Sequence, residues 1–146
     1  MKPILIYTAP RPQGTSAAIA EIMVKELHNG IEVMNVANDF PREKILQYDS
    51  LIFVAATYGD QELNDTLEDF VITLDKSHAD FNYAVCEIGN YYGYDDFELG
   101  AGEIIVSHMN LIGAKSLLPM YSVDSLPRLD KRKLKKWIEQ LNIVLS

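Results

Sequence analysis

Five short apolar runs, separated by segments whose apolar residues recur at helical spacing, constrain this chain more than any other feature. The runs are Pro3–Thr8, Ile31–Val36, Ser50–Ala56, Asn82–Gly89 and Ser116–Tyr121. Between and after them, Ile19, Ile22, Met23 and Leu27 share one helical face, as do Leu67, Phe70, Val71 and Leu74. Leu99, Val106, Met109 and Ile112 mark a third helix, and Leu134, Trp137, Ile138, Leu141 and Leu145 a closing one. The stretch from Asp39 to Tyr48 begins Asp-Phe-Pro and has room only for a brief helix. Gly30 and Gly113 stand where helices should end, since glycine takes the left-handed conformation of a helix terminus.

Strands that alternate with helices need crossover connections, and crossovers give a parallel sheet covered on both faces. Strands buried on both sides carry no polar face, which is how these runs read. The expected fold is α/β: a single doubly wound domain over residues 1–146, with a five-stranded parallel sheet of order 2-1-3-4-5. Pro119 lies in the fifth run and cannot donate a ladder hydrogen bond, so it favours an edge position or a bulge. That strand order puts the fifth run at an edge.

Composition narrows the function classes. At 146 residues and 48% hydrophobic, the chain suits one domain with a substantial core. No apolar run approaches the roughly 20 residues of a membrane span, and Met1-Lys2-Pro3 moves straight into a strand, so no membrane insertion and a cytoplasmic location are expected. Cys86 is the only cysteine, which excludes an internal disulfide and paired-thiolate metal binding; within an apolar run it reads as a small buried residue. The 21 Asp plus Glu outnumber the 13 Lys plus Arg, and six of the latter (Arg128, Lys131, Arg132, Lys133, Lys135, Lys136) fall in one short stretch. Most of the molecule is therefore anionic, which repels nucleic acid and attracts basic protein surfaces. The basic stretch reads as the solvated face of the last helix, with an anionic docking surface as the alternative.

In the expected strand order, the turns after the first, third and fourth strands meet beside the switch point. The first contains Thr8, Arg11, Gln13, Gly14, Thr15 and Ser16 and leads into a helix N-terminus, whose free amides and dipole favour an anion such as phosphate. Ser and Thr are also ordinary helix caps, so capping is the competing explanation for Thr15 and Ser16. No glycine-lysine pair of the Walker type is present. The second turn holds Thr57, Tyr58, Gly59 and Asp60, and the third Gly89, Asn90, Tyr91, Tyr92, Tyr94 and Phe97. Aromatic rings in such loops either cover a flat ligand, pack on one another or face a second subunit. His28, His78 and His108 fall away from these turns, so neither a Ser-His-Asp arrangement nor any other catalytic residue is expected. No metal site is expected either.

Thr57-Tyr58-Gly59-Asp60-Gln61-Glu62-Leu63 resembles the second flavin-binding loop of the flavodoxins in their short-chain form. The segment from Gly89 to Phe97 resembles the third loop of that family, and the stretch through Gly113-Ala114-Lys115 its fourth helix and the ending of that helix. The resemblance implies noncovalent FMN and low-potential one-electron transfer, in a protein that exchanges electrons with a basic reductase and a basic acceptor enzyme. It also implies that Tyr58 flanks the inner face of the flavin ring and that Tyr94, or alternatively Tyr92, stacks on the outer face. Gly59 matches the residue whose peptide turns to accept a hydrogen bond from reduced flavin, a motion glycine permits. The first loop departs from the family pattern Ser/Thr-x-Thr-Gly-x-Thr: Arg11, Pro12 and Gln13 precede Gly14, and Arg11 offers a charge-assisted contact instead. A monomer is expected. The alternatives are a specialised partner protein, such as an activator of ribonucleotide reductase, and a flavin-free regulatory descendant.

Overall fold

Successive residues of a strand point to opposite faces of a sheet, and the apolar runs of this chain supply two cores by that alternation. Ile4, Ile6, Leu51, Phe53, Ala55, Tyr83 and Val85 enter one cluster, whereas Leu5, Ile52, Val54, Ala84, Cys86 and Ile88 enter the other. The computed structural model describes residues 1–9, 14–38, 42–58, 62–89, 100–125 and 128–146. At Arg42, Thr57, Tyr58 and Glu62 it describes the backbone alone.

Among these residues the chain runs β1 (Pro3–Tyr7), α1 (Thr15–Glu26), β2 (Glu32–Asn35), β3 (Ser50–Tyr58), β4 (Glu62–Leu63), α2 (Asp65–Ile72), β5 (Asn82–Gly89), α3 (Ala101–Ile112), β6 (Lys115–Ser116), β7 (Tyr121–Asp124) and α4 (Lys131–Leu145). The short connections Arg42–Gln47 and Lys76–His78 are 3-10 turns. β1 pairs in parallel with β2 on one side and β3 on the other; β3 continues to β5, and β5 to β6 and β7. Counted by position in the parallel sheet, the order is the expected 2-1-3-4-5. Helices α2 and α3 cover the face of Phe53 and Val85, and α1 and α4 cover the face of Ile52 and Ala84.

The fifth strand differs from the continuous run expected at Ser116–Tyr121. It is split into β6 and β7; the Leu117 amide still donates to the Tyr83 carbonyl of β5 (2.7 Å), and Leu118 to Met120 lie in the break. Pro119 sits in that break, where its missing N–H costs no strand pairing. β4 is not legible from pattern, because two residues cannot show a period; it pairs antiparallel with the end of β3, Thr57 opposite Leu63 and Tyr58 opposite Glu62.

Helix ends follow local chemistry. The Asn64 side chain caps α2 by accepting from the amides of Thr66 (2.9 Å) and Leu67 (3.1 Å). α3 ends on Gly113 at φ 91°, a conformation that disfavours any residue with a Cβ. On α4, Lys131, Arg132, Lys133, Lys135 and Lys136 are exposed while Leu134 is buried, so the basic stretch is the solvated side of an amphipathic helix. Cys86 is fully buried, and burial foremost, with the Glu87 charge, pushes its thiol well above the ordinary range.

Tyr48, only 5% exposed, donates its hydroxyl to the Glu32 carboxylate. Burial, followed by that hydrogen bond and the carboxylate charge, pushes its phenol from 10.0 up to about 12. The neutral phenol is thus favoured in the fold. The resulting stability is complete below pH 10 and is lost as pH rises from 10 towards 12. Thermal unfolding of the wild type and Tyr48→Phe across that window should show a steeper loss in the wild type; parallel curves would contradict the role given to Tyr48.

Candidate functional site

β1, β3 and β5 are adjacent and parallel, so the segments that leave them emerge at one edge of the sheet. Thr8 follows β1, Tyr58 ends β3 and Gly89 ends β5. The chain crosses from β1 to β2 on one side and to β3 on the other, which makes this edge the switch point of a doubly wound sheet.

The first segment carries the clearest chemistry. Thr8 is 3% exposed, and its Oγ1 is buried without a hydrogen-bond partner among the described residues. A hydroxyl left in that state costs free energy unless a group beyond the described residues satisfies it. α1 then starts on Gly14, in extended backbone, with no side-chain cap. The first backbone bond of the helix runs from Ala18 N to Gly14 O (3.1 Å), so the amides of Thr15, Ser16 and Ala17 precede the helical ladder. Thr15 and Ser16 are the first two helical residues rather than the cap, which removes capping as their explanation. α2 and α4, by contrast, are capped by Asn64 and Asp130. A buried hydroxyl and an uncapped helix N-terminus form a donor set that fits a phosphate monoester.

Asn35, at the end of β2, fixes where this segment leaves the sheet. Its Oδ1 accepts from the amides of Ala9 (2.9 Å) and Ala37 (3.1 Å), and its Nδ2 donates to the Ala9 carbonyl (2.8 Å). One side-chain amide thus pairs both backbone groups of Ala9, as a neighbouring strand would. The sequence offers only a weak signal: an Asn closing an edge strand, 26 residues from its partner. Asn35→Ala leaves both Ala9 groups to find new partners and should weaken binding of a phosphate-bearing ligand about tenfold, by the cost of roughly one or two part-buried hydrogen bonds. Unchanged affinity in an equilibrium titration would contradict this positioning role.

At the second segment, the pairing of Tyr58 with Glu62 brackets residues 59–61 between strands β3 and β4. Gly59 and Asp60 lie outside the described residues, as do Arg11, Gln13, Asn90, Tyr91, Tyr92 and Tyr94. Thr57 and Tyr58 contribute backbone positions only. Gly89 opens the third segment, and its carbonyl accepts from the amide of Ser125 (2.9 Å), which ties the end of β5 to the residue after β7.

The histidines serve elsewhere. His108 Nε2 lies 2.7 Å from the Leu74 carbonyl, and His78 closes the turn at Asp75 and stacks on Phe81. His28 follows α1, where its backbone amide donates to the Asn142 side chain. None of them is near the edge that Thr8 and Gly89 share.

A family model for flavodoxin matches residues 12–137. The chain belongs to the flavodoxin family. Flavodoxins are electron carriers rather than classical enzymes. The chain is similar in fold to a cysteine-to-serine mutant of the flavodoxin from Pseudomonas aeruginosa: TM-score 0.73, 21% identity, 99% of each chain covered. Oxidised flavodoxin 1 from Bacillus cereus matches with a TM-score of 0.71 and 20% identity, over 100% of this chain and 99% of that one. The Fusobacterium nucleatum flavodoxin bound to flavin mononucleotide matches at 0.71 and 17%, over 98% of each. No curated protein sequence matches. Among the described residues, no helix is long and apolar enough to cross a membrane.

Proposed function

We propose that this flavodoxin-family chain binds FMN noncovalently at the edge shared by β1, β3 and β5, and carries single electrons at low potential between basic redox proteins. The observation that carries the reading is the buried Thr8 hydroxyl, without a partner among the described residues, on the segment that leads to the uncapped start of α1. The Thr8 hydroxyl and the amides of Thr15, Ser16 and Ala17 would hold the phosphate, with Arg11, Gln13 and Gly14 in the same loop. FMN bound there supplies the redox centre.

The rest of the site orients and shields that group. Thr57, Tyr58, Gly59 and Asp60 would line one side of the ring and Gly89, Asn90, Tyr91, Tyr92 and Tyr94 the other, with Tyr58 and Tyr94 or Tyr92 as the flat contacts. Gly59 provides a peptide that can present its carbonyl or its N–H without a Cβ clash. Asp60, Glu62, Asp65, Asp95, Asp96 and Glu98 disfavour additional negative charge on the ligand, and with a net charge of −8 they steer basic partners to this edge. The protein would act as a cytoplasmic monomer. Apoprotein titrated with FMN should quench flavin fluorescence at one equivalent, and riboflavin should bind more weakly; equal affinities would remove the phosphate from the proposed site.

A further inference from the structure

Along β5 the residues that face α3 are Tyr83, Val85 and then Glu87, a carboxylate where the alternation calls for an apolar core residue. Glu87 is 0% exposed. Its Oε2 accepts from the amide of Gly102 (3.0 Å) in the first turn of α3, and its Oε1 accepts from the hydroxyl of Ser122 (2.7 Å) on β7. α3 starts on Gly100 without a side-chain cap of its own, so a carboxylate from the sheet takes that place and sets a negative charge at the positive end of the helix.

The chain makes room for this carboxylate with two glycines. A Cβ at Gly100 would lie 2.1 Å from Glu87 Oε2, and one at Gly102 would lie 2.5 Å from Met120 Sδ and 2.9 Å from the same oxygen. Gly100 has φ −83°, open to any residue, so it is space and not backbone freedom that requires glycine there. Glu87 stands two residues before the third segment opens at Gly89, and Gly100 stands where that segment closes. One buried side chain therefore ties the end of β5 to the first turn of α3, the two elements that precede and follow residues 90–99 in the chain, among them Asn90, Tyr91, Tyr92 and Tyr94.

We infer that Glu87 is a positioning residue for the aromatic third loop, and through that loop sets the affinity of the site for the isoalloxazine ring. The inference rests on the FMN reading above. A carboxylate that only satisfies the Gly102 amide and the Ser122 hydroxyl would, when replaced by Leu, cost the fold stability through those orphaned donors and leave flavin affinity unchanged. A carboxylate that positions the loop costs affinity as well.

The test measures riboflavin and FMN affinity for wild type, Glu87→Gln and Glu87→Leu, together with hydrogen exchange at the Gly102 amide in the apoproteins. Glu87→Gln keeps an acceptor for Gly102 and should bind both flavins close to wild type. Glu87→Leu removes it and should lose about tenfold for riboflavin and FMN alike, the scale of a charge-assisted hydrogen bond, with faster exchange at Gly102. Equal loss for both flavins is the signature of the ring, because a disturbed phosphate loop would penalise FMN alone. Gly100→Ala should reproduce the loss in the wild-type background and add little in Glu87→Ala, where the clashing carboxylate is gone. Wild-type flavin affinity in Glu87→Leu, or a loss confined to FMN, would overturn the positioning role while leaving the carrier reading intact. A wild type that binds neither flavin would overturn both.

Discussion

Thr15→Asp should reduce FMN affinity about a hundredfold while changing riboflavin affinity by no more than about threefold, because like charges brought together at a binding site cost several kcal/mol. Thr15 is the first residue of α1 and is exposed, so an aspartate fits there without repacking. The apoprotein should even gain about 0.3–1 kcal/mol, since a carboxylate in the first turn complements the helix dipole. The same charge, placed beside the uncapped amides of Thr15, Ser16 and Ala17, repels a phosphate and competes for those donors. Stability and phosphate affinity thus move in opposite directions, which a general folding defect cannot produce. Paired fluorescence titrations with the two flavins read the outcome; losses of equal size for both would place the phosphate elsewhere.

Trp137→Ala should lower the unfolding free energy by about 3–5 kcal/mol, the range for removing a large aromatic side chain from a packed interior. Trp137 heads the fully buried side chains at 0% exposure, within the cluster that joins α1 and α4 to Leu5, Ile52 and Val54. Its indole Nε1 has no hydrogen-bond partner among the described residues. Trp137→Phe should therefore cost far less, about 1 kcal/mol, because it retains most of the apolar volume and removes an N–H whose burial is uncompensated. Denaturant unfolding of the two variants provides the comparison. Equal losses would mean that the indole nitrogen is satisfied in solution.

Much of the architecture could be read from the chain because its causes are local or periodic. Ile4-Leu5-Ile6 and Leu51-Ile52-Phe53-Val54 feed two cores by simple alternation, and Gly113 ends α3 where a left-handed residue is needed. What escaped depends on partners distant in sequence. Asn35 acts on Ala9 across 26 residues and Glu87 on Gly102 across 15, and neither spacing forms a recognisable local pattern. A charged residue inside an apolar strand, followed by Gly-x-Gly at a helix start, is the available hint for Glu87. The break in the fifth strand turns on Pro119, whose effect is legible as a choice between edge and bulge; the structure puts it at an edge, in a gap of the ladder. Thr8, Gly14, Thr15 and Ser16 read from the chain as a candidate anion site, and the structure starts α1 on Gly14 with no side-chain cap, so capping does not account for Thr15 and Ser16.

The central claim is that the sheet edge holds FMN for single-electron transfer. Its most direct measurement is an anaerobic reductive titration of FMN-reconstituted protein followed by absorption. Two separated one-electron steps at one flavin per chain are the expected result. A protein that takes up no FMN, or whose flavin is reduced in a single two-electron step, would contradict the account.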